Sequence, residues 1–279
     1  MGILPLLIGA SIAAAPLHPG AIAAAQPVAA RPAVAEHPAL WVINDNDTII
    51  YLFGTFHALD GKSNWFDQAV KTAFSASSEL MLETLVPEPG TLPAPAPATA
   101  SRVLPQRGPA VTLAPSASSL LASSRTVMNA GHREGMSTSL GADAVLREAA
   151  EESGKPVGGL ESFQFQLNMF ASLPDAPKAQ VPDQASMQAL AQMLRQLEMA
   201  WNRGDLDSFA PMLMQMRAQS PATYKAMFVE RNARWAGWIA NRLKTPGTVF
   251  VAVGAGHLSG PDSVQNQLAA IGVKSARIN

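Results

Sequence analysis

The chain has 279 residues, enough for one large domain with a substantial core or for two small ones. Its 20 basic and 21 acidic residues leave a formal charge of −1 with no basic stripe, which argues against nucleic acid or an anionic membrane surface as a partner. The absence of cysteine excludes disulfides, thiolate metal sites, a cysteine nucleophile and lipoprotein acylation, and it suits an oxidising compartment.

Residues 1–25 carry no charged side chain and are dominated by Ala, Leu and Ile, with small residues before Gln26 that offer cleavage sites. They read as a signal peptide that lacks the usual positive start, and they imply a periplasmic or secreted protein. Pro5, Pro16, Pro19 and Gly20 interrupt this run, so it does not read as a transmembrane helix, and no later stretch is apolar enough to span a bilayer. Residues 26–38 read as a disordered linker of Ala, Pro and Val, and 39–279 as the folded domain. Leu40–Ile43 and Thr48–Phe53, parted by Asn44-Asp-Asn-Asp47, predict a β-hairpin. An amphipathic helix follows over 65–78, then a strand over Leu80–Leu85. Residues 86–117 are rich in Pro, Ala and Ser and show no steady period, which reads as a mobile lid or a connection.

Gly141-Ala-Asp143 opens a helix that runs to about Glu152, and Gly154-Lys-Pro156 closes it. Val157–Leu160 then reads as a short strand ending in Glu161. Leu190, Met193, Leu194, Leu197 and Trp201 share one helical face, with Gly204 as the stop. A long helix is expected over 222–244, ended by Pro246-Gly247, followed by the apolar strand Thr248–Val253. Pro261 suits the first turn of a final helix, and Lys274–Ile278 an edge strand. Strands alternating with helices predict an α/β fold: a mixed central β-sheet flanked by helices, in a single domain.

Two apolar strands end in the same device, Gly54-Thr-Phe-His57 and Gly254-Ala-Gly-His257. Glycine lets the chain turn at the strand end, and each histidine then emerges at the edge where open α/β sheets bind ligands. A lone Gly-x-x-His means little; two on matched strands point to a site. Glu83 sits in Leu80-Met-Leu-Glu-Thr-Leu85, on a strand face that is otherwise apolar, where an unpaired carboxylate is costly. Two imidazoles and a carboxylate can hold a divalent metal whose bound water attacks a carbonyl. They can equally work without metal, Glu83 orienting His57 as a general base. Spacing leaves both open.

Glu230-Arg231-Asn232, with Arg234 nearby, reads from the residues alone as a solvated, salt-bridged helix face. Glu161 is a weaker candidate of the same kind as Glu83, and His132 reads as a surface-loop residue. His18 and His37 fall in the leader and the linker. Gly254-Ala-Gly-His-Leu-Ser-Gly260 has one residue too many for a dinucleotide fingerprint, and no Gly-x-Ser-x-Gly elbow is present.

The chain resembles the TraB/GumN family, which includes the Tiki-type proteases and is more distantly similar to erythromycin esterases and ChaN-like haem-binding proteins. The resemblance rests on Leu40-Trp41, Ile50-Tyr-Leu-Phe-Gly-Thr-Phe-His57, Met81-Leu-Glu83, Gly141-Ala-Asp143 and Gly154-Lys-Pro-Val-Gly-Gly-Leu-Glu161. It continues through Trp201-Asn-Arg-Gly-Asp205, Glu230-Arg-Asn-Ala-Arg-Trp235 and the block Pro246 to Asp262 around the second histidine. It implies one α/β domain with His57, Glu83 and His257 at an active site that binds a divalent ion (Mn, Co or Zn), and it sets Arg231 and Asn232 beside the same cleft. The proline-rich 86–117 segment departs from the pattern and leaves substrate choice open.

The first functional expectation is therefore a metal-dependent hydrolase acting on peptide bonds, with a peptide or small molecule as its substrate. The alternatives are a non-catalytic haem or small-ligand binding protein and a metal-free His/Glu esterase. Oligomeric state is left open. The leader carries its own expectation: mass spectrometry of protein expressed with its native start should find a mature chain beginning near Gln26. An intact Met1 in the cytoplasmic fraction overturns it.

Overall fold

The two apolar runs that end in Gly-x-x-His lie side by side at the centre of one sheet in the computed structural model, which describes residues 37–66, 68–85, 115–173 and 182–279. In chain order the strands are β1 (Leu40–Asn44), β2 (Thr48–Thr55), β3 (Glu79–Thr84), β4 (Val157–Glu161), β5 (Gly247–Gly254) and β6 (Ala276–Arg277). The helices are α1 (Gln68–Ala76), α2 (Pro115–Arg133), α3 (Ala142–Glu152), α4 (Phe163–Ser172), α5 (Gln184–Asn202), α6 (Ala210–Gln219), α7 (Pro221–Tyr224), α8 (Glu230–Arg242) and α9 (Val264–Ala270). Together they make a single α/β domain.

The sheet order is β4-β3-β5-β2-β1-β6. β4, β3, β5 and β2 run parallel, while β1 and β6 add antiparallel edges, so the sheet is mixed as expected. β5 is buried at every position from Val249 to Gly254, because helices cover both of its faces. The register pairs Thr55 with Gly254 and Leu82 with Ala252. All four parallel strands therefore end along one edge of the sheet.

The expected hairpin, the first helix and the strands agree with the structure to within a few residues. Four differences are informative. The long helix expected over 222–244 is broken by a π turn, Lys225–Val229, between α7 and α8. Pro261 precedes the last helix rather than opening it, and α9 begins after Ser263. His132 lies in the last turn of α2, not in a loop. Helices α2, α4 and α6 were not read from periodicity; α6 has apolar residues spread around its circumference, so no face stands out. Of the irregular segment expected over 86–117, only 115–117 are described, as the start of α2. The expected leader over 1–25 and the linker over 26–38 lie outside the described residues, apart from His37 and Pro38. Among the described residues no helix is long and apolar enough to cross a membrane.

An aromatic cluster backs the edge where the histidines emerge. Phe53 stacks on Trp65 at 5.7 Å and meets Trp201 edge-on at 6.3 Å, and Phe250 and Phe74 extend the cluster. Trp201, fully buried on α5, donates its Nε1–H to the Gly54 carbonyl at 2.7 Å. That bond ties a helix to the turn carrying His57. Trp201→Phe leaves the carbonyl unpaired and should cost about 1–3 kcal/mol, read as a lower urea midpoint with an unchanged slope. A midpoint equal to wild type would show that the bond holds nothing.

Candidate active site

Each site residue arrives from a strand end or a helix start. His57 follows β2 by two residues and His257 follows β5 by three, on neighbouring parallel strands. Glu83 and Glu161 come from the last residues of β3 and β4. The glycines of the two motifs act differently from the expected sharp turn. Neither has a positive φ. A Cβ on Gly54 would sit 3.3 Å from Leu258 Cδ1 and 3.4 Å from Ala255 Cα, so this glycine lets the second His-bearing loop pack directly onto the first.

His57 is held from behind. Its Nδ1 lies 2.6 Å from Asp143 Oδ2, and the other Asp143 oxygen accepts from Thr55 Oγ1 at 2.8 Å. Asp143 sits in the first turn of α3, and α3 is drawn against the β2 loop by Ala142 N–H donating to Phe56 O. That approach requires Gly141, because a Cβ there would lie 2.1 Å from the His57 carbonyl oxygen. Gly141-Ala-Asp143 was read only as a helix start and as part of the resemblance, so Asp143 was missed. An acidic residue in a first turn has an ordinary dipole role, which conceals a second one.

His257 is fully buried between the rings of Phe228 and Trp235, at 4.8 and 4.4 Å. Asn232 Nδ2 donates to the backbone oxygens of Asp262 and His257, which turns its Oδ1 toward His257 Nδ1 at 2.6 Å. An amide oxygen only accepts, so Nδ1 carries the proton and Nε2 keeps its lone pair. That lone pair lies 3.2 Å from Arg231 Nη1. Each imidazole thus has its Nδ1 fixed by an acceptor, the arrangement that also orients metal-ligating histidines.

Arg231 and Asn232 are 3% and 1% exposed, so the solvated-face reading of this helix is overturned. They fall in phase with Trp235, Ala236 and Ile239 on the buried side of α8. Arg231 donates through Nε to both Glu161 oxygens at 3.0 and 2.9 Å and through Nη2 to Glu83 Oε2 at 2.8 Å. Its guanidinium also covers the Trp235 ring at 4.6 Å. Arg234, 44% exposed in its side chain, only flanks Glu161 at 3.4 Å. Glu83 accepts a further bond from Gly254 N–H at 2.7 Å. Glu161, the weaker sequence candidate, is therefore a full member of the cluster, whereas His132 is exposed.

Environment drives the two histidines apart. Burial alone would lower the His57 pKa, but the Asp143 carboxylate outweighs it and raises it to about 9. Burial lowers His257 to about 3, and Glu83 does not compensate. Glu83, despite burial, is held ionised at about 2 by Arg231, the two histidines and the Gly254 N–H. One imidazole is a cation at neutral pH and the other a neutral lone-pair donor, the kind of division that separates an acid from a base. Arg231 neutralises Glu83. Among the described residues no group of three or more His, Asp or Glu side chains is gathered closely enough to hold a metal.

The sequence model of the TraB/PrgY/gumN family matches residues 39–118 and 91–277. Two curated relatives, both described as "Uncharacterized protein YbaP", from Escherichia coli (strain K12) and Shigella flexneri, are each 30% identical over 135 residues. The match covers 48% of this chain and 50% of each relative, so the chain spans about half the length of the curated relatives it matches. No solved structure matches.

The His57–Asp143 pair sets a pH signature. A folded pKa of about 9 against an ordinary 6.5 stabilises the fold fully below pH 6.5, and that stabilisation is lost as pH rises through 9. Asp143→Asn should therefore cost up to about 3 kcal/mol at pH 6, with a gap to wild type that narrows above pH 9. In NMR titrations the His57 ring should move down from near 9, because Asp143 no longer offsets burial. An unmoved His57 titration would remove Asp143 from this role.

Proposed function

The chain belongs to the TraB/PrgY/gumN family, and from that premise we propose that it is a hydrolase of carbonyl-centred bonds, peptide bonds first. One observation carries the reading: two imidazoles at the ends of adjacent parallel strands, each fixed through Nδ1, next to an ionised carboxylate and a buried guanidinium. With no ion on its Nε2, His57 is protonated at neutral pH and suited to hand that proton to a leaving group. Arg231 is suited to stabilise negative charge on a carbonyl oxygen, since it is preorganised by two carboxylates and shielded from water. Glu83 and Glu161 position Arg231, and Asn232 holds His257 in its neutral, Nδ1-protonated tautomer, whose Nε2 faces Arg231.

The donor types are those that ligate Mn²⁺, Co²⁺ or Zn²⁺, but as arranged they do not form a metal site, because the Arg231 guanidinium occupies His257 Nε2 and Glu83 Oε2. To hold an ion, His57 and His257 would each have to offer a free Nε2, and Arg231 would have to give up its bond to Glu83. Such an ion supplies Lewis-acid polarisation and a nucleophile at neutral pH. We place the mature protein in the periplasm or outside the cell, on the leader-like start and the absence of cysteine. Haem ligation by tyrosine is less favoured, because Tyr51 sits within β2 opposite Phe250, short of the strand end, and the Tyr224 hydroxyl donates to Asp262 at 2.9 Å.

The test is hydrolysis of fluorogenic peptides and aryl esters by protein purified without chelating resin. His57→Ala and His257→Ala should each lower kcat/KM by at least about 10²-fold, and Arg231→Ala by about 10²–10³-fold. Arg234→Ala should stay within about twofold. Chelation should abolish activity, Mn²⁺, Co²⁺ or Zn²⁺ should restore it, and the ion should raise the wild-type Tm but not that of either His variant. Full activity in His57→Ala overturns the site. Activity that survives exhaustive chelation moves a metal-free mechanism ahead, in which Asp143, not the Glu83 expected from the sequence, orients His57.

A further inference from the structure

His57 forms part of the wall of a half-enclosed cavity of about 80 Å³ that the chemistry above does not use. Its remaining walls come mainly from helices outside the sheet: Met128 of α2, Leu190, Met193 and Leu194 of α5, and Met212 of α6. All five are half-buried, and they share this one space. Along the helical face Leu190–Trp201, Trp201 packs in the sheet core, Met193 and Leu197 touch both core and cavity, and Leu190 and Leu194 border the cavity.

We propose that this cavity is the subsite for a small aliphatic side chain, of Val, Leu or Met size, on the residue flanking the scissile bond. The proposal rests on the hydrolase reading of the cleft. Three observations support it. The volume is roughly half that of the ~150 Å³ dry cavity that accommodates benzene, which suits a branched aliphatic group better than an aromatic one. Leu and Met side chains dominate the lining, with His57, His132, Thr55 and Thr138 as its polar members, so a side chain seated there brings its own backbone carbonyl toward the His57 imidazole. The methionines of the lining, unbranched and polarisable, can reshape to close around such a group. A lysine side chain would be stranded there against the His57 cation.

Two experiments separate this proposal from the hydrolase reading. In full-length protein labelled at methionine methyls, N-acetyl-leucine methylamide should shift Met128, Met193 and Met212, and N-acetyl-lysine methylamide should not. Leu194→Trp should abolish those shifts; Met193→Trp serves if a thermal melt shows that the first variant is unfolded. In peptides varied beside the scissile bond, Leu should exceed Ala by about 10-fold and Lys by about 100-fold in kcat/KM. The Trp variant should bring the Leu-to-Ala ratio of kcat/KM down to about 1. Methionine shifts without hydrolysis of any peptide keep the pocket and remove the hydrolase reading. Hydrolysis without shifts, or with a Leu preference that the Trp variant leaves intact, overturns the pocket.

Discussion

A guanidinium that is 3% exposed has to be neutralised where it lies, and much of the site follows from that requirement. Arg231 reaches Glu161 through Nε and Glu83 through Nη2, so one cation joins the ends of β4 and β3. Its third branch meets the His257 lone pair at the end of β5. Removing any one of these partners would leave a buried charge or donor short, a far larger penalty than the loss of a surface ion pair. The cluster therefore couples α8 to three strand ends at once. The same cation holds Glu83 ionised and disfavours a proton on His257.

Backbone geometry makes that convergence feasible. Parallel pairing of β2, β5, β3 and β4 lines up their C-terminal ends, so residues far apart in sequence share one edge. Phe228 and Trp235 lie seven residues apart, about two helical turns, so both face the His257 ring. On the other side, Gly54 and Gly141 remove the two Cβ atoms that would hold the loops apart. The site is built from rigid elements rather than from long loops, as a preorganised electrostatic environment requires.

The environment is divided. On the Arg231 side lie the paired charges; on the α2 and α5 side lies an apolar cavity with His57 in its wall. His57 stands at the boundary, its Nδ1 engaged by Asp143. A substrate placed across that boundary would meet a proton donor with its polar part while burying an apolar part, the combination expected of small-molecule and peptide sites.

Much of this was legible before any coordinates. The mixed α/β sheet, the strands bearing His57 and His257, and the candidacy of Glu83 all follow from apolar runs ended by glycine and from a carboxylate on an apolar strand face. Even Arg231 and Asn232 carried a signal, since they fall in phase with Trp235 and Ile239, although charge on an amphipathic helix ordinarily means solvent. The sequence by itself thus determined which strands exist, where each ends, and which chemical groups stand at those ends, because these depend on local periodicity and turn chemistry. Only the tertiary structure decided that Asp143 serves His57, that Glu161 shares Arg231 with Glu83, and that the two histidines take opposite protonation states. Those outcomes depend on distances across 26 to 148 positions of chain and on burial, neither of which a local pattern encodes.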